Sequence, residues 1–392
     1  MRRVFFFLTL VIVLRAMSSQ CNAQEVSQTA QDVEAIPTCG ECVPKKNYGS
    51  YGTQRSVDNL EARFKKSASG SGKKRHYFDF EKTKLSLNGK KPDAWHIKDH
   101  VQSVVRLAGT GNENFLAMTR SAKDIGDAGL FIVEFDRIKS DGGPWKWAEL
   151  RKSDKASRYY YHRIPNANHA GGMQALGSLL FIAADCDRGK EGFAFVQLMD
   201  VRDKSKPKFI NKLVLDGSQN ELKIDGTKIE SRAGAVAAIK LNDGKYLLFV
   251  FSGDGETGWF FISKFSKLNK NTKWELINHW SSTELVGTKK VWHNFQNVQF
   301  INDSKTGQIY MFATGVITNK CELYKLVERG GCLTFQHVSG RGLNVADIDD
   351  PLTRPTCRMG ASVHVTPDGF LTSYVANRHG SEIAEFRYHV KE

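Results

Sequence analysis

The stretch Asn168-His169-Ala170-Gly171-Gly172-Met173-Gln174-Ala175-Leu176 decides the fold, because the chain repeats its pattern five times. In each repeat a His or Arg is followed seven residues later by a large apolar residue. The pairs are His100/Leu107, His169/Leu176, Arg232/Ile239, His293/Phe300 and Arg358/Val365. Successive basic residues are 69, 63, 61 and 65 positions apart. A period of this size indicates an array of like structural units.

Each repeat continues with short runs of β-branched and aromatic residues bounded by Gly, Asn and Asp, which predict strands and turns. In the second repeat the runs are 174–176, 179–183, 192–196 and 208–215. In the first repeat we expect the fourth strand at Trp145 to Leu150. Four antiparallel strands per unit, repeated radially, make a β-propeller blade.

The fifth repeat ends after its third strand, at Val390. We expect the segment His76-Tyr77-Phe78-Asp79-Phe80 to supply its outer strand, because closing the ring covers two sheet edges that would otherwise pair with other chains. The sequence thus predicts an all-β fold over residues 76–392. It is a five-bladed β-propeller of four-stranded antiparallel blades, with the last blade closed by the N-terminal strand.

This architecture resembles the five-bladed propellers, a class that includes arabinan-degrading glycoside hydrolases, tachylectin-like lectins and calcium-dependent nucleotidases. The resemblance covers residues 76–392 and concerns the fold. It implies no residue roles, because one fold hosts many functions.

Residues 1–23 predict a secretory signal peptide. Arg2 and Arg3 precede an apolar run from Val4 to Leu14, and the segment ends in small residues suited to cleavage. The apolar run is shorter than the ~20 residues that a spanning helix needs. We therefore expect a secreted protein without a membrane span, with an uncleaved membrane anchor as the alternative.

Residues 24–75 are expected to form a flexible leader and linker without a domain of their own. The leader is acidic up to residue 42 and basic from 43 to 75. The whole chain has a net charge of +14, and removal of Arg2, Arg3 and Arg15 with the signal peptide leaves 14 − 3 = +11. No nucleic-acid-binding motif accompanies this charge, so nucleic acid is not the expected partner.

Seven cysteines become six once Cys21 is removed, and an even number in an oxidising compartment suggests disulfides. Cys321 and Cys332 flank the hairpin between the third and fourth strands of the fourth repeat, and we expect them to meet. We also expect Cys39 and Cys42 to bond to Cys186 and Cys357. A local bridge between Cys39 and Cys42 is the competing arrangement.

The basic residue of each repeat precedes a strand that is expected to line the central channel. The five basic residues should therefore converge around one axis. Closely spaced cations repel each other unless an anion or water screens them. The ring thus predicts a pocket for a carboxylate, sulfate or phosphate. We assign ligand binding to His100, Arg232, His293, Arg358, Gln174, Arg120 and Arg378.

Acidic residues from the loops between second and third strands should lie on the same rim. Carboxylates beside histidine can support general acid-base chemistry, and we assign catalytic roles to His169, Asp185 and Asp254. Two functions stay open. One is a secreted module that binds an anionic ligand such as an acidic glycan or a phosphorylated compound, and the other is a hydrolase or lyase acting on such a substrate.

The loops differ strongly between repeats, which favours one asymmetric pocket in a monomer. A purely structural collar of hydrogen bonds around the axis is the further alternative. No cofactor is expected, because the glycine-rich segment 252–258 lacks the helix and the Lys-Ser/Thr of a P-loop. Three axial histidines can hold zinc, but the interleaved arginines oppose a cation, so no metal is expected.

Overall fold

The structure is a computed structural model, and it describes 17 segments of the chain. They are residues 55–66, 74–77, 100–109, 115–121, 127–134, 159–186, 194–215, 223–224, 227–228, 233–252, 256–287, 292–315, 320–342, 360–366, 369, 371–376 and 382–388. The predicted signal peptide and most of the leader lie outside these ranges. Within them, no helix has the length and apolarity needed to cross a bilayer.

Five sheets, each with four antiparallel strands, build most of the described part of the fold. Blade 1 contains β3 (Val101–Arg106), β4 (Phe115–Arg120), β5 (Ala128–Glu134) and β6 (Tyr159–Ile164). Blade 2 contains β7 (His169–Leu176), β8 (Leu179–Asp185), β9 (Ala194–Asp200) and β10 (Lys208–Val214). Blade 3 contains β13 (Ala235–Lys240), β14 (Tyr246–Phe251), β15 (Thr257–Ser263) and β16 (Trp274–Ser281).

The last two blades include strands from the N-terminal part of the chain. Blade 4 contains β17 (Phe295–Asp303), β18 (Ile309–Gly315), β19 (Lys320–Arg329) and β20 (Cys332–Gly342), with β1 (Ser56–Val57) added beside β17. Blade 5 contains β21 (Ala361–Val365), β22 (Leu371–Ala376), β23 (Glu382–Tyr388) and β2 (Lys74–Tyr77). A separate hairpin joins β11 (Lys223–Ile224) to β12 (Thr227–Lys228). The described residues also form helix α1 (Leu60–Lys66) and a 3-10 turn at Ser282–Glu284.

The first strands of the blades surround a common axis. Strands β3, β7, β13, β17 and β21 each contact the next one, and β21 contacts β3. Four of the five sheets have four strands, and blade 4 has the additional β1. The predicted all-β propeller of four-stranded antiparallel blades is therefore confirmed.

The ring is closed by the N-terminal strand. Strand β2 pairs antiparallel with β23, with Lys74 opposite Glu385 and Tyr77 opposite Glu382. The pairing begins two residues before the predicted start at His76. It covers the outer edge of blade 5, which would otherwise expose unpaired backbone groups.

The fourth strand of blade 1 differs from the sequence prediction. It is β6, whose Tyr160 and Tyr161 pair with Ile132 and Phe131 of β5, and residues 145–150 lie outside the described ranges. Gly129 leaves the space that the Tyr161 ring occupies, since an added Cβ would lie 2.5 Å from that ring. A run of three tyrosines is thus the better strand signal here.

Residues 55–66 depart from the expected flexible leader. Strand β1 pairs in parallel with the end of β17, and the backbone N–H of Leu60 donates to Asp303 Oδ2 at 2.8 Å. Val57, Leu60 and Phe64 are fully buried in a cluster with side chains of blades 4 and 5. Burial of three large apolar side chains offsets the entropy of ordering this segment.

Tryptophans of the outer strand β16 pack between blades. Trp274 Nε1 donates to Asn211 Oδ1 of blade 2 at 3.0 Å. Trp280 Nε1 donates to Thr334 Oγ1 of blade 4 at 3.1 Å. Each indole therefore buries its ring and still satisfies its N–H.

The predicted disulfide between Cys321 and Cys332 is wrong. Cys321 lies opposite Arg341, whereas Cys332 lies opposite Arg329. Eight residues of strand β19 separate the two levels of the ladder, which is roughly 26 Å at ~3.3 Å per residue. Disulfide geometry requires Cα atoms within about 7 Å. Cys186 is described, but Cys39, Cys42 and Cys357 lie outside the described residues, so that pairing stays a prediction.

Candidate functional site

The first strand of every blade begins at the same face of the propeller, and the second strand ends there. We call it the histidine face, because His100, His169 and His293 lie at or just before the start of β3, β7 and β17. Alternating strand direction also places the start of each third strand at this face. The sequence prediction that these basic residues share one rim is thus consistent with the strand order, although the three side chains have different partners.

His169 lies beside a buried carboxylate. It is paired directly with Asp185 across β7 and β8, and its Nδ1 lies 3.0 Å from Asp185 Oδ1. The His169 side chain is 18% exposed and that of Asp185 is 9% exposed. The contact has the distance of an ion pair without the alignment of a hydrogen bond. Catalytic hydrogen bonds commonly become aligned only when substrate binds.

A bulge lies immediately after His169 and Ala170 in strand β7. The ladder between β7 and β8 shifts register between Ala170 and Met173. The extra residues, Gly171 and Gly172, lie against the neighbouring blade, where Gly172 N–H donates to Gly234 O at 2.7 Å. A side chain at either position would collide with backbone or with Ala235. Such bulges commonly redirect the adjacent side chain at functional sites.

Blade 4 holds a second carboxylate with two imidazoles. His337 Nε2 lies 2.9 Å from Glu322 Oε2, and His293 Nε2 lies 3.8 Å from Glu322 Oε1. The Glu322 side chain is only 4% exposed. A Cβ added at Gly340 would meet both carboxylate oxygens, so a larger residue there would have to displace the Glu322 side chain. The two histidines and the backbone therefore enclose Glu322.

Aromatic rings surround this group. Tyr324 meets His337 edge-on with ring centroids 5.3 Å apart, and Trp292 lies 5.1 Å from Tyr324. Burial, and then the negative charge of Glu322, raise the pKa of Tyr324 well above its ordinary value. The dense packing indicates a structural role for blade 4 at this face.

In blade 1 the basic residue has an amide partner. His100 Nε2 lies 2.7 Å from Gln102 Nε2, and the same amide nitrogen donates to Ser121 Oγ at 2.9 Å. Gln296 of β17 donates to Gln102 Oε1 across the axis. His100 is therefore joined to a polar network that connects blades 1 and 4.

Amides also fill the central axis further along the first strands. Gln174 Nε2 donates to Phe300 O at 2.8 Å, and its Oε1 accepts from Ala238 N–H at 2.7 Å and Phe300 N–H at 2.9 Å. Gln299 similarly donates to Met173 O at 3.2 Å. Gln174 thus joins blades 2, 3 and 4 through backbone groups. Ligand binding by Gln174 stays a prediction, and its amide already has three partners.

Five predicted site residues remain. One of them, Arg120, is described, and the other four lie outside the described ranges. Arg120 ends β4 at the histidine face, pairs with Val101 and is 4% exposed. Burial is the main cause that raises the pKa of Tyr161, and the positive charge of Arg120 opposes that rise. Arg232, Asp254, Arg358 and Arg378 lie outside the described residues, so their roles stay predictions.

Sequence reasoning missed Glu322 and His337. A signal was present, because a glutamate in a strand of otherwise buried residues needs a partner. That partner, on the next strand, is identifiable only from the register of β19 against β20. No group of three or more His, Cys, Asp or Glu with metal-binding geometry is present among the residues that the structure describes.

No protein-family model and no curated protein matches this chain. Similar solved structures include an α-L-arabinanase from Penicillium chrysogenum with arabinobiose, at TM-score 0.36 and 11% identity over 75% of this chain and 77% of that one. A β-fructofuranosidase from Bombyx mori has TM-score 0.41 and 10% identity over 84% of this chain and 64% of that one. A putative 6-phosphogluconolactonase from Bacteroides fragilis has TM-score 0.34 and 13% identity over 73% and 79%. Likeness at this level says nothing about the chemistry of the site.

Proposed function

We propose that this chain is a β-propeller enzyme, a hydrolase or lyase, that acts on an anionic small molecule or glycan at the histidine face. His169 takes up and releases the proton, and Asp185 positions the His169 imidazole. The observation that carries the proposal is the pair itself, with Nδ1 of His169 3.0 Å from Asp185 Oδ1 and the imidazole 18% exposed.

The chemistry follows from the two nitrogens of the ring. A carboxylate at Nδ1 favours the tautomer with the proton on Nδ1, which leaves Nε2 as the acceptor. Nε2 can then take a proton from water or from a substrate carbon and return it to a leaving group. Asp185 also stabilises the imidazolium that forms in between, because an opposite charge nearby favours the charged form.

The asymmetry of the histidine face supports a single site in blade 2. The position facing His100 across its ladder is Ser121, whose N–H bonds to His100 O. In blade 4 the carboxylate Glu322 is divided between two imidazoles. Among the described residues, His169 and Asp185 therefore pair one to one at the histidine face. The imidazole of His169 is also partly exposed.

An anionic substrate is supported by charge. The chain carries a net charge of +14, and the sequence places Arg232 and Arg358 at the repeats equivalent to His169. We propose these arginines as donors to a carboxylate or phosphate, because the guanidinium binds such groups with two parallel hydrogen bonds. His100, Arg120, Arg378 and Asp254 belong to the same proposal.

The test is a screen of acidic sugars, sulfated sugars and phosphorylated sugars, with product detected by mass spectrometry. His169→Asn should lower turnover by about 10²- to 10⁴-fold, the range for loss of a general acid-base group. Asp185→Asn should also lower turnover, because it removes the charge that orients the ring. His279→Asn, at a half-buried histidine of the outer strand β16, is the control and should keep wild-type turnover.

Turnover that is unchanged in His169→Asn would refute the catalytic assignment. Thermal stabilisation of the wild type by an acidic ligand, without product, would instead identify a binding module. In that case Arg232→Ala should abolish the stabilisation, since the guanidinium supplies the proposed anion contacts.

A further inference from the structure

A second surface lies at the opposite face of the propeller, where the third and fourth strands of blades 2 and 3 are connected. Six exposed lysines lie on these two connections and their flanks: Lys206, Lys208, Lys264, Lys267, Lys270 and Lys273. Residues 204–209 and 264–273 contain no Asp or Glu. We call this part of the molecule the lysine surface.

The two connections are neighbours in space. Asn211, three residues after Lys208, donates its amide to Lys270 O and to Thr272 O, both at 3.2 Å. Asn211 also accepts from Trp274 Nε1 at the end of the blade 3 connection. Leu268 and Ile210 are buried in the same hydrophobic cluster. The lysines of the two blades therefore form one continuous surface.

The nearby carboxylates have local partners. Asp200 binds the guanidinium of Arg202, with Nε to Oδ2 at 2.7 Å. Asp203 accepts from the Ser205 hydroxyl at 2.6 Å and from two backbone N–H groups. These hydrogen bonds, the Ser205 hydroxyl first, lower the pKa of Asp203 and keep it ionised. Asp243 lies 3.7 Å from Lys245. Asp203 stays charged near Lys206, and Glu275 is exposed two residues after Lys273. The six lysines outnumber these two carboxylates, so an excess of positive charge remains.

Two aromatic rings project from the lysine surface. Phe209 is 53% exposed and Phe265 is 57% exposed. Each follows a lysine, as Lys208-Phe209 in blade 2 and Lys264-Phe265 in blade 3. The same lysine-phenylalanine pair therefore recurs on adjoining connections of two blades. A surface with two exposed phenylalanines among six lysines is complementary to a partner that has both negative charge and apolar groups.

The backbone beside both phenylalanines is ordered. The connection in blade 3 is closed by Lys264 N–H to Lys273 O at 2.9 Å, and Ser263 Oγ donates to Phe265 O at 2.8 Å. In blade 2 the ladder of β10 shifts register immediately after Phe209. The backbone that carries each ring is thus already ordered before binding, which lowers the entropy cost of contact.

From these observations we infer that the lysine surface binds the surface of a membrane that contains anionic phospholipids. Lysines at such a surface are attracted by the negative headgroups, and phenylalanines enter the boundary between headgroups and acyl chains. A soluble sulfated glycan would satisfy the lysines but offers no apolar region for two phenyl rings. This attachment places the histidine face, on the far side of the propeller, toward the solvent.

The test measures binding of the full chain to vesicles by co-sedimentation. The protein should bind vesicles of phosphatidylcholine and phosphatidylserine at about 4:1 and should not bind phosphatidylcholine alone, because the headgroup charge supplies the attraction. The aromatic variant Phe209→Ser/Phe265→Ser and the charge variant Lys208→Glu/Lys264→Glu should each reduce partitioning about tenfold.

The matched control is Lys65→Glu/Lys320→Glu, which makes the same change of charge at an exposed lysine of helix α1 and at one that begins β19 on the histidine face. It should bind vesicles like the wild type. All variants are surface changes, so unfolding curves identical to the wild type should accompany them. Full binding by the aromatic variant, or equal losses in the control and charge variants, would overturn the inference. So would retention on immobilised heparin without binding to any vesicle. None of these outcomes bears on turnover at His169.

Discussion

Blades 2 and 4 both place histidine beside a carboxylate at the histidine face. The two carboxylates differ in the number of their partners and in the packing around them. Asp185 has one imidazole, and that imidazole is partly exposed. Glu322 has two imidazoles, a glycine against its oxygens and aromatic rings around it. The comparison teaches that the number of partners and the packing around the carboxylate distinguish a candidate catalytic pair from a structural one.

The largest effect is expected at Gln174, whose side-chain amide joins blade 2 to blades 3 and 4. Gln174→Ala would leave three backbone groups, at Ala238 and Phe300, without their partner. Each buried unsatisfied group costs about 1–3 kcal/mol, so the free energy of unfolding should fall by at least about 3 kcal/mol. Chemical denaturation measures this loss.

Gln197→Ala is the control, because Gln197 is as deeply buried as Gln174. The two residues are 4% and 5% exposed, respectively. The amide of Gln197 donates to the weak acceptor Met199 Sδ at 3.1 Å. The loss should be at most about half that of Gln174→Ala. Equal losses in the two variants would show that the three interblade bonds have no special weight.

The second prediction separates the two carboxylates. Glu322→Ala leaves the imidazoles of His337 and His293 without their buried carboxylate and should cost about 2–3 kcal/mol. Asp185→Ala should cost only about 1 kcal/mol, because water can reach the partly exposed His169. Denaturation of both variants under one set of conditions measures the difference. The distinction between blades fails if Asp185→Ala proves as destabilising as Glu322→Ala.

The third prediction concerns the space around Glu322. A Cβ at Gly340 would collide with the carboxylate, so Gly340→Ala should destabilise the protein by about 1–3 kcal/mol. Gly342 lies two residues further along the same strand with nothing within 4 Å of an added Cβ. Gly342→Ala should therefore stay within about 0.5 kcal/mol of the wild type. Thermal unfolding of both variants provides the measurement, and a neutral Gly340→Ala would mean that the enclosure of Glu322 is loose.

The smallest effect is a pH dependence from His162 in strand β6 of blade 1. Burial lowers the pKa of His162, against the opposing effect of its bond to Lys204 O at 2.8 Å. The unfolded chain then binds more protons than the folded one between the two pKa values, so stability rises with pH there. Stability should fall as the pH drops below about 6.5 and level off below the folded-state pKa.

His162→Gln keeps a side-chain donor for Lys204 O and removes the titration. Its unfolding free energy should therefore change less with pH than that of the wild type over this interval, measured by denaturation at several pH values. His279→Gln controls for the loss of a half-buried imidazole. A slope that is unchanged in His162→Gln would assign the pH dependence to other groups.

Much of the fold follows from local pattern. The alternation of turn residues with short aromatic and β-branched runs predicted most strands to within a few residues, and the truncated fifth repeat predicted closure by an N-terminal strand. The fourth strand of blade 1 was misplaced because tryptophans at 145 and 147 and tyrosines at 159–161 are equally good strand formers. Which run pairs with β5 depends on tertiary contacts such as that of Tyr161 with Gly129.

The candidate site was predictable only in part. Asp185 follows a second strand and His169 begins a first strand, so their shared rim could be derived from topology. Gln174 was predicted to bind ligand, and no local feature indicates that its amide meets the backbone of two other blades. Cys321 and Cys332 were close in sequence, but strand direction carries them to opposite ends of a hairpin.

The sequence by itself determined the repeat, the strands and the face at which the basic residues begin, because these depend on period and alternation along one chain. Only the tertiary structure decided which carboxylate pairs with which imidazole, and that residues 55–66 pack into the propeller. The reason is physical: hydrogen bonds and ion pairs depend on distances of about 3 Å between side chains. Residues far apart in sequence reach such distances only after the blades have packed.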